Sequence, residues 1–217
     1  GSANDSSGNG HHGQLGELPG ADAFDPELVN GYAGNPNSAY RFDGVNDFIN
    51  LGSQPELGDK PHSTNTDPFT ICMWVRFEDD THDNQFLSTA INSSDDNFIT
   101  LSYSHNGNKK LRIAIKDTSI DENIRNFYSD NVFQTGEWYF LSIVHKTTSL
   151  NIYVDGVNEN NEFSIGSSDL GINKNWYLGR GFDAGAYFSG SIETVSFFTE
   201  VIREADIQEL YNRSVDR

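Results

Sequence analysis

Residues 136–157, GEWYFLSIVHKTTSLNIYVDGV, decide the fold. Two runs rich in Ile, Val, Leu, Phe and Tyr are separated by a polar Lys-Thr-Thr-Ser break, and an Asp-Gly pair follows the second run. In the second run Leu150, Ile152 and Val154 alternate with polar or amphipathic residues, so they share one face of an extended chain. The stretch therefore predicts two strands, the first buried on both faces and the second covering a core on one face.

The same pattern continues in both directions along the chain. Gly, Asn, Asp and Ser separate further short runs of β-branched and aromatic residues, and FTICMWVRF (69–77) is apolar enough to be a central strand. In KLRIAI, Leu111, Ile113 and Ile115 share a face. Many short strands at this spacing indicate an antiparallel sandwich or barrel, and the lack of strand–helix alternation argues against a parallel α/β fold.

We predict one domain over residues 1–217. The apolar spacing in READIQELYNR predicts a terminal helix over residues 203–213, packed on a sheet. The polar, Pro-containing residues 52–68 are interpreted as a long surface loop within the domain.

Composition excludes several function classes. The chain has 217 residues and a formal net charge of −18, which disfavours nucleic acid and anionic membrane surfaces as partners. No apolar run is long enough to span a bilayer, so we expect no membrane insertion. The single cysteine, Cys72, lies in an apolar strand and is interpreted as a buried small hydrophobe rather than a nucleophile.

The opening stretch GSANDSSGNGHHG (residues 1–13) is too polar and too Gly-rich for a core strand. Three interpretations are open: a disordered tail, a metal clip formed by His11 and His12, or a loop folded around an ion. The clip is the weaker one, because adjacent side chains of an extended segment point apart. Gly1 and Ser2 are also compatible with a cloning remnant.

Four segments, in the same order, carry a family resemblance: NSAYRFDGVNDFINLG, FTICMWVRF, GEWYFLSIVHKTTSLNIYVDGV and FSGSIETVSFFTEVIREADIQELY. Together they resemble the laminin-G-like, concanavalin A-like domains of bacterial extracellular and adhesin-type proteins, from about residue 3 to about residue 212. The resemblance implies an all-β, two-sheet antiparallel jelly-roll β-sandwich with a short C-terminal helix. Domains of this family often bind carbohydrate or act in adhesion.

The resemblance also implies a calcium site at residues 3–13. Segments like this one wrap Ca²⁺ in the family and tie the N-terminal segment to the last strand, although the apolar strand that usually precedes them is absent here. Ca²⁺ takes about six to eight oxygen ligands. The predicted ligands are Asp5, Asn9, His12 and, on the last strand, Glu193, which stands where Asp is common.

Two loops are predicted to bind the ligand at one end of the sheet. Asp95 and Asp96 precede the strand NFITLSY, where the resemblance implies a rim calcium. The loop GRGFDAGAYFSG (179–190) offers Arg180, Asp183 and Tyr187. An aromatic face stacks on a sugar ring, and Arg and Asp hydrogen-bond its hydroxyls. Trp176 and Phe188 are expected to belong to the core instead.

We do not expect an enzyme. Retaining glycoside hydrolysis needs two carboxylates about 5 Å apart, and the E-x-D-x-x-E spacing is absent from the predicted strands. Asp121 and Glu122 are adjacent, so they face opposite ways on a strand.

The sequence therefore predicts a calcium-stabilised, carbohydrate-binding module of a larger extracellular or cell-surface protein, flanked by other domains. The alternatives are a structural or protein-binding module without sugar affinity and, third, a polysaccharide-degrading enzyme.

Overall fold

The structure is a computed structural model, and it describes residues 1–53, 67–92, 94–171, 174–183 and 185–215. The long surface loop expected over 52–68 lies outside the described residues except at its two ends.

Fifteen strands and one α-helix make up the described fold. In chain order they are β1 (Ser2–Ala3), β2 (Gly13–Leu15), β3 (Glu27–Val29), β4 (Ala39–Asp43), β5 (Ile49–Ser53), β6 (Phe69–Phe77), β7 (Asn84–Ser88), β8 (Phe98–Tyr103), β9 (Leu111–Asp117), β10 (Asp121–Tyr128), β11 (Trp138–Lys146), β12 (Ser149–Val154), β13 (Val157–Ser164), β14 (Asn175–Leu178), β15 (Ser189–Phe198) and α1 (Glu204–Val215).

The strands form two antiparallel sheets. Sheet A has the order β1-β2-β5-β14-β7-β8-β9-β10, and sheet B has the order β13-β12-β11-β6-β15-β4-β3. Every described strand pair is antiparallel, as the sequence pattern predicted. The expected all-β sandwich with a C-terminal helix is therefore confirmed.

The main core lies between the two sheets. Leu111, Ile113 and Ile115 of β9 face it, as do Leu150 and Ile152 of β12. The central positions predicted for the two longest apolar strands are confirmed, since β11 and β15 flank β6 on either side. Trp176 and Phe188 are completely buried in this core, also as expected.

The outer face of sheet B is covered by α1. Ile207 of the helix is fully buried, and Tyr211 packs 5.9 Å from Trp74, measured between ring centroids. Tyr32 stacks on the same indole at 3.9 Å. The helix was predicted over 203–213 and occupies Glu204–Val215, with acidic residues in its first turn and Arg213 in its last, as the helix dipole favours.

The outer face of sheet A is covered in part by the loop that follows β14. Phe182 of this loop stacks on Phe98 of β8 at 4.8 Å, above Ala90 and Ala114. Arg112, which the strand pattern placed on an open face, is only 4% exposed. The expectation that β9 and β12 bury one face alone is therefore wrong, because a loop and a helix cover their outer faces.

The one α-helix in the described part of the chain is too short and too polar to cross a membrane.

Candidate functional site

The turn at residues 3–13 is held together by the Asp5 carboxylate. Its Oδ1 accepts a hydrogen bond from the Ser7 amide at 2.7 Å, and its Oδ2 accepts from Ser7 Oγ at 2.8 Å and from the His11 amide at 3.0 Å. These donors, the Ser7 amide first, hold the pKa of Asp5 well below its usual range. Asp5 is therefore ionised whenever the turn is formed.

Asn9 and His12 belong to the same turn. The Asp5 amide donates to His12 Nδ1 at 3.2 Å, and the Asn9 amide donates to Ser7 Oγ at 3.2 Å. Gly8 and Gly10 have φ values of 89° and 81°, a conformation that glycine adopts without strain. Three of the four predicted calcium ligands thus lie together in the turn.

Glu193, the fourth predicted ligand, lies elsewhere. It pairs in register with Trp74 and so faces the outer side of sheet B, where its Oε2 accepts a hydrogen bond from the Tyr32 amide at 2.6 Å. Asp5 instead borders a cavity between the sheets, beside Ile192, the inward-facing neighbour of Glu193 on β15. Glu193 is not among the residues that line this cavity.

Asp5, Asn9 and His12 therefore lie in one turn, and Glu193 lies on β15 outside that turn. Among the described residues, no group of three or more His, Cys, Asp or Glu side chains converges as metal ligands. Asp5, with the carbonyl oxygens of Asn9, His12 and the rest of the turn, has the oxygen chemistry that Ca²⁺ prefers. The His12 ring accepts the Asp5 amide at Nδ1, which leaves the His12 carbonyl as its predicted ligand atom. Calcium binding stays a prediction.

Asp95 and Asp96 lie in the connection between β7 and β8. Asp95 Oδ2 accepts from the amides of Ile91 and Asn92 at 2.9 and 3.3 Å, so this carboxylate closes its own turn. Asp96 is exposed, and its carbonyl accepts from Lys174 Nζ. One member of the pair therefore has a structural role and the other faces solvent.

Arg180 lies among three aromatic rings. Its guanidinium carbon is 4.8 Å from the ring centroid of Phe48, 5.6 Å from that of Tyr177 and 6.0 Å from that of Tyr187, all within cation–π range. Tyr177, Arg180 and Tyr187 are half-buried, so the group keeps an accessible surface. We call Phe48, Tyr177, Arg180 and Tyr187 the Arg180 cluster.

Asp183 anchors the same loop to sheet A through Gln85. The Gln85 amide, fully buried, donates from Nε2 to Asp183 Oδ2 at 2.9 Å and to Asp83 Oδ2 at 3.2 Å. Asp83 also forms an ion pair with Arg112 at 2.8 Å. A Cβ at Gly181 would collide with Gln85 Oε1, so only glycine lets the loop approach this closely.

The two predicted ligand loops are not at one end of the sheet. The connection that carries Asp95 and Asp96 follows the C-terminal end of β7. Because β14 runs antiparallel to β7, the loop after β14, which carries Arg180, lies at the other end of β7, next to Gln85. Arg180 and Tyr187 are therefore in contact, Asp183 belongs to the same loop, and Asp95 and Asp96 lie at the other end of β7.

The sequence reasoning missed Phe48, Tyr177 and Gln85. The alternation in NWYL does place Tyr177 on the face opposite to Trp176 and Leu178, so this residue could have been found. No comparable local signal marks Phe48 or Gln85, because the loop residues that they contact, Arg180 and Asp183, are more than 90 positions away in the chain.

The fold consists of two facing antiparallel sheets. A terminal helix covers the outside of one sheet, and an aromatic cluster in a loop lies outside the other. This arrangement is that of a jelly-roll domain of the lectin-like class. The chain belongs to the concanavalin A-like lectin/glucanases superfamily, whose family model matches residues 43–208.

Solved structures with the same fold include domain 4 of AbnA, an extracellular arabinanase of Geobacillus stearothermophilus, determined in complex with arabinotriose. It is 17% identical at a TM-score of 0.67, with 95% of this chain and 91% of that chain covered. The receptor-binding domain of the botulinum neurotoxin C/D mosaic serotype is 13% identical at a TM-score of 0.71, with 96% of this chain and 48% of that chain covered.

The binding domain of Paraclostridial Mosquitocidal Protein 1 is also similar, with 15% identity, a TM-score of 0.68, and 97% of this chain and 49% of that chain covered. This chain thus spans about half the length of these two toxin binding domains. Identities this low establish the fold alone. No curated protein sequence matches the chain.

Proposed function

We propose that this domain is a carbohydrate-binding module of an extracellular or cell-surface protein, and that the sugar binds at the Arg180 cluster. The observation that carries the proposal is the partly accessible group of Tyr177, Arg180 and Tyr187. The solved structure with arabinotriose bound supports the ligand class, because that protein shares the fold over nearly its whole length.

The chemistry of the cluster suits a small polar ligand. A tyrosine ring offers an apolar face for a sugar ring and a hydroxyl for hydrogen bonding. Arg180 Nε is buried without a hydrogen-bond partner among the described residues, so the guanidinium is held by ring faces. A site with one stacking face and a few hydrogen bonds gives weak affinity, about 1 mM to 1 μM.

We propose binding rather than catalysis. Asp183 accepts from Gln85, and Asp83 accepts from Gln85 and Arg112, so both carboxylates already hold the loop. Retaining hydrolysis needs a pair of carboxyl groups about 5 Å apart, and the strands predicted from the sequence carry no E-x-D-x-x-E spacing. A polysaccharide-degrading enzyme is therefore the third reading, after a structural or protein-binding module.

We extend the proposal to calcium at residues 3–13. Asp5 supplies the charge, and backbone and Asn9 oxygens are the remaining donors in the turn. A calcium-dependent rise in the melting temperature, reversed by EDTA, is the expected result. An unchanged melting temperature together with no calcium by elemental analysis would contradict it.

A titration by NMR or calorimetry tests the sugar proposal. The probes are arabinotriose and a panel of neutral and acidic oligosaccharides. Tyr187→Ala and Arg180→Gln should each weaken binding at least about tenfold, the loss of about 1.4 kcal/mol. Asp96→Ala is the control, because this exposed acid lies outside the cluster, and it should bind as the wild type does.

Four outcomes distinguish the alternatives. Binding that is lost in both cluster variants supports the site. Binding that survives them means that the sugar sits elsewhere. If a folded domain binds no sugar of the panel, the structural or protein-binding module is favoured. If it releases reducing sugar from the panel, the enzyme is favoured.

A further inference from the structure

Arg180 is a cation without a carboxylate partner in a strongly acidic protein. The sequence has 32 Asp and Glu residues against 14 Lys and Arg. Six of these cations pair with Asp or Glu: Arg41, Lys109, Arg112, Lys146, Arg203 and Arg213. No ion pair or hydrogen bond joins the Arg180 side chain to another residue in the described part of the chain, and its contacts are with aromatic rings. Its charge is therefore available to a ligand.

The rings of the cluster determine which guanidinium nitrogens a ligand can reach. The guanidinium carbon lies over the rings of Phe48, Tyr177 and Tyr187 at 4.8, 5.6 and 6.0 Å from their centroids. Contacts with ring faces do not use the N–H bonds, which lie in the guanidinium plane. Nε is buried, so the exposed part of this half-buried side chain is its Nη end. A ligand therefore meets the two Nη groups, which donate in parallel.

The groups next to Arg180 do not supply an acceptor for these N–H bonds. Asp183, in the same loop, accepts from the buried Gln85 amide and forms no ion pair with Arg180. On the other side, exposed Asn175 donates from Nδ2 to the Tyr177 hydroxyl at 3.4 Å, which leaves the Tyr177 hydroxyl proton for a further acceptor. The cluster thus presents a positive charge, hydroxyl donors and ring faces.

We propose that the sugar bound at the Arg180 cluster carries a carboxylate, as the uronic acids do. This inference rests on the proposed function, because it names the class of sugar for the same site. A sugar ring that stacks on Tyr177 or Tyr187 displaces water from the Nη groups, so the ligand has to replace the lost acceptors. A carboxylate accepts two parallel N–H bonds, and such charge-assisted bonds are roughly twice as strong as bonds between neutral groups.

The net charge of −18 does not prevent this selectivity. At an ionic strength of about 0.15 M the Debye length is about 8 Å, so exposed charges farther away are largely screened. The carboxylate would be in direct contact with Arg180, where screening is weak. The preference for an acidic sugar should therefore come from this contact and not from faster association.

Matched acids and esters test the proposal. The probes are trigalacturonate, trimannuronate and their methyl esters, titrated by NMR at an ionic strength of about 0.15 M. Each ester keeps the rings, linkages and hydroxyls of its acid and loses the charge. At least one acid should bind at least about tenfold more tightly than its ester, a difference of about 1.4 kcal/mol. Its binding should shift the resonances of Arg180 and Tyr187.

Three variants locate the charge. Arg180→Gln should make the acid and its ester bind equally, because no cation remains. Arg180→Lys keeps the charge without the planar fork, so it should retain only part of the preference. Arg213→Gln removes an exposed cation on α1, outside the other sheet, and should leave the preference unchanged. The comparison of acid and ester on the wild type keeps the proposal testable should Arg180→Gln fail to fold.

The outcomes separate this inference from the proposed function. Equal binding of acid and ester at the cluster, or binding of neutral arabinotriose alone, would overturn the carboxylate and leave sugar binding intact. Absence of binding by every acidic and neutral sugar would overturn both. Acid binding that Arg180→Gln does not weaken would place the carboxylate elsewhere. Sodium acetate that binds as tightly as the trisaccharides would show an anion site without sugar recognition, which also contradicts the proposal.

Discussion

Gln85 Nε2 donates a hydrogen bond of 2.9 Å to Asp183 Oδ2, joining the start of β7 to the loop that carries the Arg180 cluster. The two residues are 98 positions apart in the chain. Since Gln85 is fully buried and also donates to Asp83, one side-chain amide holds two carboxylates at the start of β7. The loop is therefore positioned by a polar contact to a buried side chain of sheet A.

We expect Gln85→Glu to destabilise the domain by about 2–4 kcal/mol at pH 8. The substitution removes both donated bonds and places a third carboxylate beside Asp83 and Asp183. The loss should be smaller at pH 4.5, where a proton can restore one hydrogen bond. Urea unfolding at the two pH values measures both effects.

Gln134→Glu is the matched control for this change. Gln134 is exposed, so the same substitution there should alter stability by less than about 0.5 kcal/mol. Equal stability of Gln85→Glu and wild type at pH 8 would show that the buried amide does not hold the loop.

Asp5→Ala and Glu193→Ala are expected to act independently. Glu193→Ala leaves the Tyr32 amide without its acceptor and should cost about 1–3 kcal/mol, with or without calcium. Asp5→Ala should remove the part of the unfolding free energy that depends on calcium, about 2.7 kcal/mol when calcium is at 100 times its dissociation constant. Thermal unfolding of the single and double variants in calcium and in EDTA separates the two.

The exposed Glu122→Ala serves as the control for loss of a negative charge. In EDTA the losses of stability caused by Asp5→Ala and by Glu193→Ala should add within about 0.5 kcal/mol, because Asp5 and Glu193 share no hydrogen-bond partner among the described residues. Strong coupling that appears in calcium alone would mean that Asp5 and Glu193 ligate one ion, as the sequence predicted, and that the turn rearranges to reach Glu193.

Asp47 predicts a pH dependence of stability. It is 7% exposed, and burial raises its pKa to about 6, with Asp43 and Asp25 acting in the same direction. The folded state therefore binds more protons than the unfolded state between about pH 4 and pH 6, so the Asp47 contribution falls as the pH rises through that window. Above pH 6, ionised Asp47 lowers the free energy of unfolding by an amount on the order of 3 kcal/mol.

Asp47→Asn removes the charge and keeps an oxygen to accept from the Asp43 amide. The variant should be more stable than wild type at pH 7.5 by about 1–3 kcal/mol, and the difference should vanish near pH 4. Asp130→Asn, at an exposed position, should show neither effect. A difference that stays constant from pH 4 to pH 7.5 would show that Asp47 does not titrate in this window.

Cys72 should be inert to thiol reagents in the folded protein. It is 2% exposed on the outer face of β6 beneath α1, and burial raises its pKa to about 11. The thiolate is the reactive form, so labelling at pH 8 should proceed only through opening of the structure. Labelling in urea supplies the unfolded rate, and comparable rates with and without urea would contradict the burial.

The sequence predicted the interior strands better than the edges. The central strands β6 and β11 were identified as long apolar runs, because a strand buried on both faces must be apolar throughout. The edge strands β1, β3, β10 and β13 were not recognised as strands. DENIRNFY and VNENNEFS, at the edges of the two sheets, are polar, as expected of strands that avoid pairing with other chains.

The candidate site was predictable only in part. Arg180, Asp183 and Tyr187 were singled out as chemistry-bearing residues of one loop, and the structure places Arg180 beside Tyr187 and Asp183 beside Gln85. Phe48 and Gln85 were missed, and Asp95 and Asp96 lie at the opposite end of β7 from this loop. Strand periodicity gives the face on which a residue lies, but which strands become neighbours depends on a sheet order that local pattern does not contain.

The sequence by itself determined the all-β class, the central strands, the terminal helix and the buried Cys72, because burial and strand periodicity are written in the local pattern of apolar residues. Only the tertiary structure decided that Glu193 accepts from the Tyr32 amide, that Arg180 lies among three rings, and that Gln85 holds Asp183. Each of these depends on contacts between residues far apart in the chain, and such contacts are fixed by how the two sheets are ordered and packed.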